Sequence, residues 1–215
     1  MGIELKKRIL TSFVLFIMFI FMMLNQLFLL YALIIISIIS WLEFSSLVSK
    51  IFKKKYFQLI FNLLFLTYIS LYSIILFILF INFSTKLLII LTILICIATD
   101  IGGLTFGKIF KGKKLTSISP NKTISGALGS FIFSILILII FYFAGIIEMN
   151  LKILVFFLMT SLFSQLGDIF ISFLKRNAKV KNTGNLLPGH GGLLDRVDGI
   201  LLGVPAGIFT FFLLI

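Results

Sequence analysis

Of the 215 residues, 60% are hydrophobic and only 12% charged, with 27 Phe among them. Soluble domains are nearer half apolar and a quarter charged, so this chain has too little polar surface to cover a water-soluble globule. It reads as an all-α, polytopic membrane protein. The net charge of +12, from 19 Lys and Arg against seven acids, would suggest nucleic acid in a soluble chain. Here the positive charges sit in short clusters between apolar runs, the pattern of membrane topology and anionic-headgroup contact, and no nucleic-acid partner is expected.

A spanning helix needs about 20 predominantly apolar residues. Lys6, Lys7 and Arg8 precede an apolar stretch as in a signal peptide, but no small-residue cleavage site follows and the run continues, so it reads as the first span. No Lys or Arg occurs from Ile9 to Ser49, too long for one helix, and Asn25-Gln26 offers a polar break. Spans are expected at 9–25, 27–46, 57–82, 87–107, 126–147, 152–174 and 199–215, seven in all. The 57–82 stretch, with Asn62, Thr67, Tyr68 and Ser70, is open to a reading as two short pieces.

With the N-terminus inside, 17 of the 19 basic residues fall in the tail and the 2–3, 4–5 and 6–7 loops, leaving only Lys86 and Lys152 outside. That asymmetry predicts a multi-pass protein of the cell's inner membrane with these loops cytoplasmic. It also favours one span at 57–82, because a second would break the alternation. Two regions are expected, 1–99 as generic spans and 100–215 as the part whose motif loops face the cytoplasm. Cys96 is the only cysteine, so an intrachain disulfide is excluded.

The acids locate the chemistry. Glu4 and Glu148 lie in or beside terminal or loop segments, and Glu43 near the inner end of the second span. The other four are Asp100, Asp168, Asp195 and Asp198. Ionisable groups within apolar segments are costly and point to a cavity or a partner. A carboxylate tied to a neighbouring lysine to hold helices together is the plainer alternative for any one of them; four aspartates on one side of the membrane argue for function. From Asp168, offsets of four, seven and eight to Ser172, Lys175 and Arg176 fall at about +40°, −20° and +80° around a helix. The stripe suits a divalent metal at depth and phosphate oxygens nearer water.

Next comes Lys181-Asn182-Thr183-Gly184, then Pro188-Gly189-His190-Gly191-Gly192, then Asp195-Arg196-Val197-Asp198. Glycines around the only histidine let backbone approach a ligand and present N–H groups to anions, and place His190 against substrate rather than in a core. Asp195 and Asp198 share a face if the last helix has begun, and paired carboxylates suit Mg2+. With one His and one Cys far apart, zinc is not expected. In the 4–5 loop, Gly102 through Lys108 nearly spells a phosphate-binding P-loop, but Ile109 holds the Ser/Thr position and no strand precedes it, so that reading is rejected. What remains is a basic inner loop containing Ser119-Pro120-Asn121-Lys122-Thr123, suited to phosphates, below a buried Asp100.

These residues resemble the phosphatidate cytidylyltransferases, or CDP-diacylglycerol synthases. Their signature, Ser-x-x-Lys-Arg, a Lys-Asp pair, then Pro-x-His-Gly-Gly-x-x-Asp-Arg-x-Asp, is matched by Ser172, Lys175, Arg176, Lys181, Pro188, His190, Gly191, Gly192, Asp195, Arg196 and Asp198. Asp100 with Gly107, and Ser119-Pro120-x-Lys122-Thr123 with Gly126, look like the family's other inner-loop motif. The resemblance covers about 100–215. Asn182 replaces the family aspartate and Ser125 its acidic or amide residue.

The resemblance implies transfer of the cytidylyl group of CTP to phosphatidate, with membrane lipids around the site, Mg2+ alone or with a second cation as cofactor, and a homodimer. Asp168 and Asp195 are the first-choice metal ligands, with Asp198 and Asp100 next. Lys175, Arg176, Arg196, Lys181 and Lys122 would neutralise phosphates, while Ser172, His190, Ser119, Thr123, Gly191 and Gly192 would hydrogen-bond substrate. A related enzyme acting on a polyprenyl or other lipid phosphate is the nearest alternative. A small transporter predicts midplane ionisable groups and inverted repeats, neither of which is found.

Overall fold

In a computed structural model the chain is all-α, and the structure describes residues 2–116, 119, 122–186 and 191–214, with side chains described from residue 10 onward except 12. Seven helices run in chain order: α1 Gly2–Leu24, α2 Gln26–Ile51, α3 Lys55–Ile81, α4 Phe83–Phe110, α5 Ile124–Phe143, α6 Leu151–Asn177 and α7 Leu194–Leu214. Six of them, α2 to α7, are long and apolar enough to cross a membrane, and α1 carries a shorter apolar stretch, Phe13–Leu24. The chain is therefore a polytopic helical membrane protein, as its composition requires.

The helix ends follow from local chemistry. Asn25 breaks the long first apolar run because its Oδ1 accepts from the N–H groups of Leu27 at 2.9 Å and Phe28 at 3.2 Å, filling donors that a helix start leaves open. The 57–82 stretch is one helix, α3, which ends at Ile81 with Asn82 alone between it and α4. At the end of α4, Lys111 and Gly112 turn left-handed with φ of 50° and 104°, the usual helix stop. The chain then doubles back: Leu115 N–H donates to the Lys122 carbonyl at 2.8 Å and Ile124 N–H to that of Lys113 at 3.0 Å. Thr123 closes the return by capping α5, its Oγ1 accepting from Gly126 N–H at 3.1 Å.

Two compact units make up the chain, Met1–Thr85 with Leu174–Val197, and Lys86–Phe173 with Asp198–Ile215. In the first, α2 packs along α3. The Phe44 and Phe65 rings stack with centroids 4.0 Å apart and planes within 8°, and the hydroxyls of Ser37 and Ser73 meet at 2.7 Å.

The second unit packs through small residues, as helices do in lipid where no hydrophobic force draws them together. A Cβ on Gly126 of α5 would lie 2.8 Å from the Gly103 carbonyl of α4. On α7, glycines recur every fourth residue at Gly199, Gly203 and Gly207. A Cβ there would meet Ser164 Oγ at 2.8 Å from Gly199 and Cys96 Sγ at 2.6 Å from Gly203. The Thr99 hydroxyl donates to Ser161 Oγ at 2.9 Å, and the Ser130 hydroxyl to the Thr99 carbonyl at 2.8 Å, joining α4, α5 and α6. Gly102, Gly103 and Gly107 are thus helix-packing residues inside α4, in keeping with rejection of a P-loop.

Candidate active site

Two lysine–carboxylate ion pairs stand among the described residues, one in each unit. In the first unit, Lys175 Nζ lies 2.6 Å from Asp195 Oδ1, with the side chains 17% and 9% exposed. The other oxygen of Asp195 gathers the segment between α6 and α7. Its Oδ2 accepts from Thr183 N–H at 2.8 Å, from the Thr183 hydroxyl at 3.1 Å and from Gly192 N–H at 3.2 Å. Gly191 sits at φ +87°, where a side chain would be strained, and a Cβ on it would be 3.2 Å from both Asn182 Cγ and Asp195 Oδ2. Thr183 and Gly192 therefore converge on one carboxylate, and glycine stands at 191 where the backbone turns.

Sequence reasoning passed over Glu43. This α2 side chain is buried, at 8% exposure. Its Oε1 accepts from Leu193 N–H at 2.9 Å, and its Oε2 from Leu194 N–H at 2.9 Å and the Thr183 hydroxyl at 2.6 Å. Leu193 and Leu194 open α7, so Glu43 caps a helix 150 residues away, filling open donors and meeting the positive end of the helix dipole. No local signal identifies it: a single Glu near the end of an apolar run reads as interfacial.

In the second unit, Lys122 Nζ lies 2.9 Å from Asp168 Oδ2, with both side chains about a quarter exposed at 26% and 27%. A turn supports the lysine, its backbone N–H donating to the Ser119 carbonyl at 3.0 Å. Asp100 lies in the electrostatic field of both Asp168 and Lys122, but it is exposed, not buried as the sequence suggested. α4 presents this edge outward while burying Ala98, Thr99 and Gly102. Gly167, next to Asp168, admits the backbone of α7: a Cβ there would touch the Asp198 carbonyl and come within 3.3 Å of Gly199 Cα. Asp198 Oδ1 accepts from Gly199 N–H at 3.0 Å.

The stripe expected on α6 is present in one helix, since Asp168, Ser172, Lys175 and Arg176 all lie within Leu151–Asn177. Its carboxylate and its ammonium take different partners, Lys122 and Asp195. Arg176, Lys181 and Arg196 are exposed, and Ser172 is half-buried. Pro120, Asn121, Pro188 and His190 lie outside the described residues.

The donor chemistry suits a hard divalent cation. Among the described residues no three of His, Cys, Asp and Glu come together, and Mg2+ does not need them, since it binds through one or two carboxylates plus phosphates and water.

Comparison with known proteins gives this arrangement a family. Residues 5–214 match the cytidylyltransferase family. The chain is 43% identical over 111 residues to a phosphatidate cytidylyltransferase of Staphylococcus haemolyticus (strain JCSC1435), covering 50% of this chain and 42% of the relative. It is 41% identical over 119 residues to that of Bacillus subtilis (strain 168), covering 54% and 43%. Against that of Staphylococcus aureus (strain COL) it is 44% identical over 120 residues, covering 54% and 46%. The chain thus spans less than half the length of the curated relatives it matches. With nearly its whole length matched, the chain belongs to the cytidylyltransferase family.

Proposed function

We propose that this chain transfers the cytidylyl group of CTP to phosphatidate, giving CDP-diacylglycerol and pyrophosphate. The observation that carries the reading is the Lys175–Asp195 pair at 2.6 Å, a cation held against a carboxylate that also accepts from the N–H groups of Thr183 and Gly192. The names of the relatives point the same way.

The reaction asks for positioning and charge neutralisation more than for a protein nucleophile. A phosphatidate oxygen forms the new bond to the α-phosphorus of CTP, and the bond from that phosphorus to the pyrophosphate oxygen breaks. Lys122, Lys175, Lys181, Arg176 and Arg196 neutralise phosphate charge. Ser172, Ser119, Thr123, His190 and the N–H group of Gly191 hydrogen-bond phosphate oxygens, while the N–H of Gly192 is held by Asp195. Bound Mg2+, with or without a second cation, would stabilise charge on the transferring and leaving oxygens, its carboxylate ligands drawn from Asp168, Asp195 and Asp198 with Asp100 in reserve.

The acyl chains stay in lipid while CTP arrives from the cytoplasmic side of the inner membrane. A homodimer belongs to the same reading and is tested by light scattering of the detergent-solubilised protein. The reaction is tested by incubating the protein with phosphatidate, labelled CTP and Mg2+. A labelled CDP-lipid that disappears with EDTA supports it. Absence of product beside an active relative contradicts it.

A further inference from the structure

We propose that Glu43 is a positioning residue for the site proposed above: from α2 it holds Thr183 and the start of α7 so that Asp195 keeps its place beside Lys175. The inference rests on that functional reading and adds a residue that the signature motif does not contain.

Four observations carry it. First, Glu43 is buried, and the partners that hold it among the described residues are N–H and hydroxyl groups. A buried carboxylate is costly unless fully hydrogen-bonded, and here both oxygens accept, from Leu193 N–H, Leu194 N–H and the Thr183 hydroxyl. Second, the segment is shaped around it: a Cβ on Gly184 would lie 2.6 Å from Glu43 Oε1, and one on Gly192 would collide with Glu43 Oε2.

Third, Thr183 links the two carboxylates. Its hydroxyl is 2.6 Å from Glu43 and 3.1 Å from Asp195, while its backbone N–H donates to Asp195 at 2.8 Å. A hydroxyl has one proton, and the shorter contact assigns it mainly to Glu43. The backbone N–H is left to orient Asp195. Fourth, Leu193 and Leu194 immediately precede Asp195, so fixing their N–H groups fixes the point from which the Asp195 side chain departs. Glu43 touches neither reacting atom; it acts through Thr183 and the α7 start.

The test compares the full chain with Glu43→Gln, Thr183→Val and Thr183→Ser, each in detergent, by phosphatidate-dependent turnover and by hydrogen exchange of peptides covering 183–196. Glu43→Gln keeps size but turns an N–H group toward a donor; Thr183→Val keeps shape and removes the hydroxyl; Thr183→Ser keeps it. Expected are faster exchange across 183–196 in Glu43→Gln and Thr183→Val with α3 peptides unchanged, kcat lowered about 10- to 100-fold with little change in the KM for phosphatidate, and near wild-type behaviour in Thr183→Ser. Wild-type turnover in both Glu43→Gln and Thr183→Val overturns the proposal, whatever the exchange. If Glu43→Gln does not fold, Thr183→Val carries the same decision. A wild-type chain that makes no product overturns the reaction instead, and is told apart because exchange in the variants still reads the hold on 183–196.

Discussion

Glu43 and Thr183, 140 residues apart in the chain, are joined by a 2.6 Å hydrogen bond from the threonine hydroxyl to the carboxylate. The bond ties the second helix to the stretch between α6 and α7, which carries five of the eleven signature residues. It also accounts for an acid inside an apolar span of a chain with only seven acids.

The Lys175–Asp195 pair separates stability from chemistry. Asp195→Ala leaves a largely buried ammonium without its partner, an imbalance worth roughly 3 kcal/mol, and turnover is expected to vanish while the protein still inserts. Lys175→Met combined with Asp195→Leu removes both charges and recovers part of the thermal stability, without turnover. Recovery of activity in the double variant would contradict the assignment of both residues to the site.

Asn182 stands where the resemblance leads one to expect aspartate, and a Cβ on Gly191 would lie 3.2 Å from both the Asn182 side chain and the Asp195 carboxylate. Asn182→Asp adds a second negative charge there. The Mg2+ concentration for half-maximal activity should fall, by up to about tenfold. An unchanged magnesium titration would make the asparagine a neutral replacement.

The glycine stripe of α7 gives a packing prediction. A Cβ at Gly203 would lie 2.6 Å from Cys96 Sγ, and Cys96 is buried. Gly203→Ala should cost roughly 1–3 kcal/mol by overpacking. Cys96→Ala in the same chain should restore part of it, read as a non-additive shift in thermal unfolding. Additive effects would contradict the contact.

Much of the fold was legible because lipid imposes a simple rule: apolar runs of spanning length must be helices. Asn25 marked the first break, and the charge alternation favoured a single 57–82 helix. The helices run past the apolar segments at several ends, such as α2 to Ile51 and α4 to Phe110, because hydrogen bonding continues where hydrophobicity stops. Asp168 was legible as a charge inside an apolar run, Lys175 by its place on the same helix stripe, Lys122 as part of a basic loop and Asp195 as one of two carboxylates at the start of α7, although not their pairing. Glu43 was not, since its partners at 183, 193 and 194 come from another part of the chain. The spacing of Gly199, Gly203 and Gly207 was visible, but its partners on α4 and α6 were not.

Topology is tested by labelling. In a Cys96→Ala background, single cysteines replacing the exposed Lys53 and Lys113 should react with an impermeant maleimide only when the cytoplasmic face is open. Cysteines replacing Asn82 and Glu148 should react in intact cells. The reverse pattern would overturn the cytoplasmic assignment of the basic loops.

The most direct measurement places one label on the α-phosphorus of CTP and another on its γ-phosphorus, with the purified chain, phosphatidate micelles and Mg2+. Expected is α-label in the lipid phase and γ-label in pyrophosphate, in equal amounts, both abolished by EDTA and by Asp195→Ala. An active relative run alongside, with no α-label entering lipid in the presence of this folded chain, would contradict cytidylyl transfer to phosphatidate.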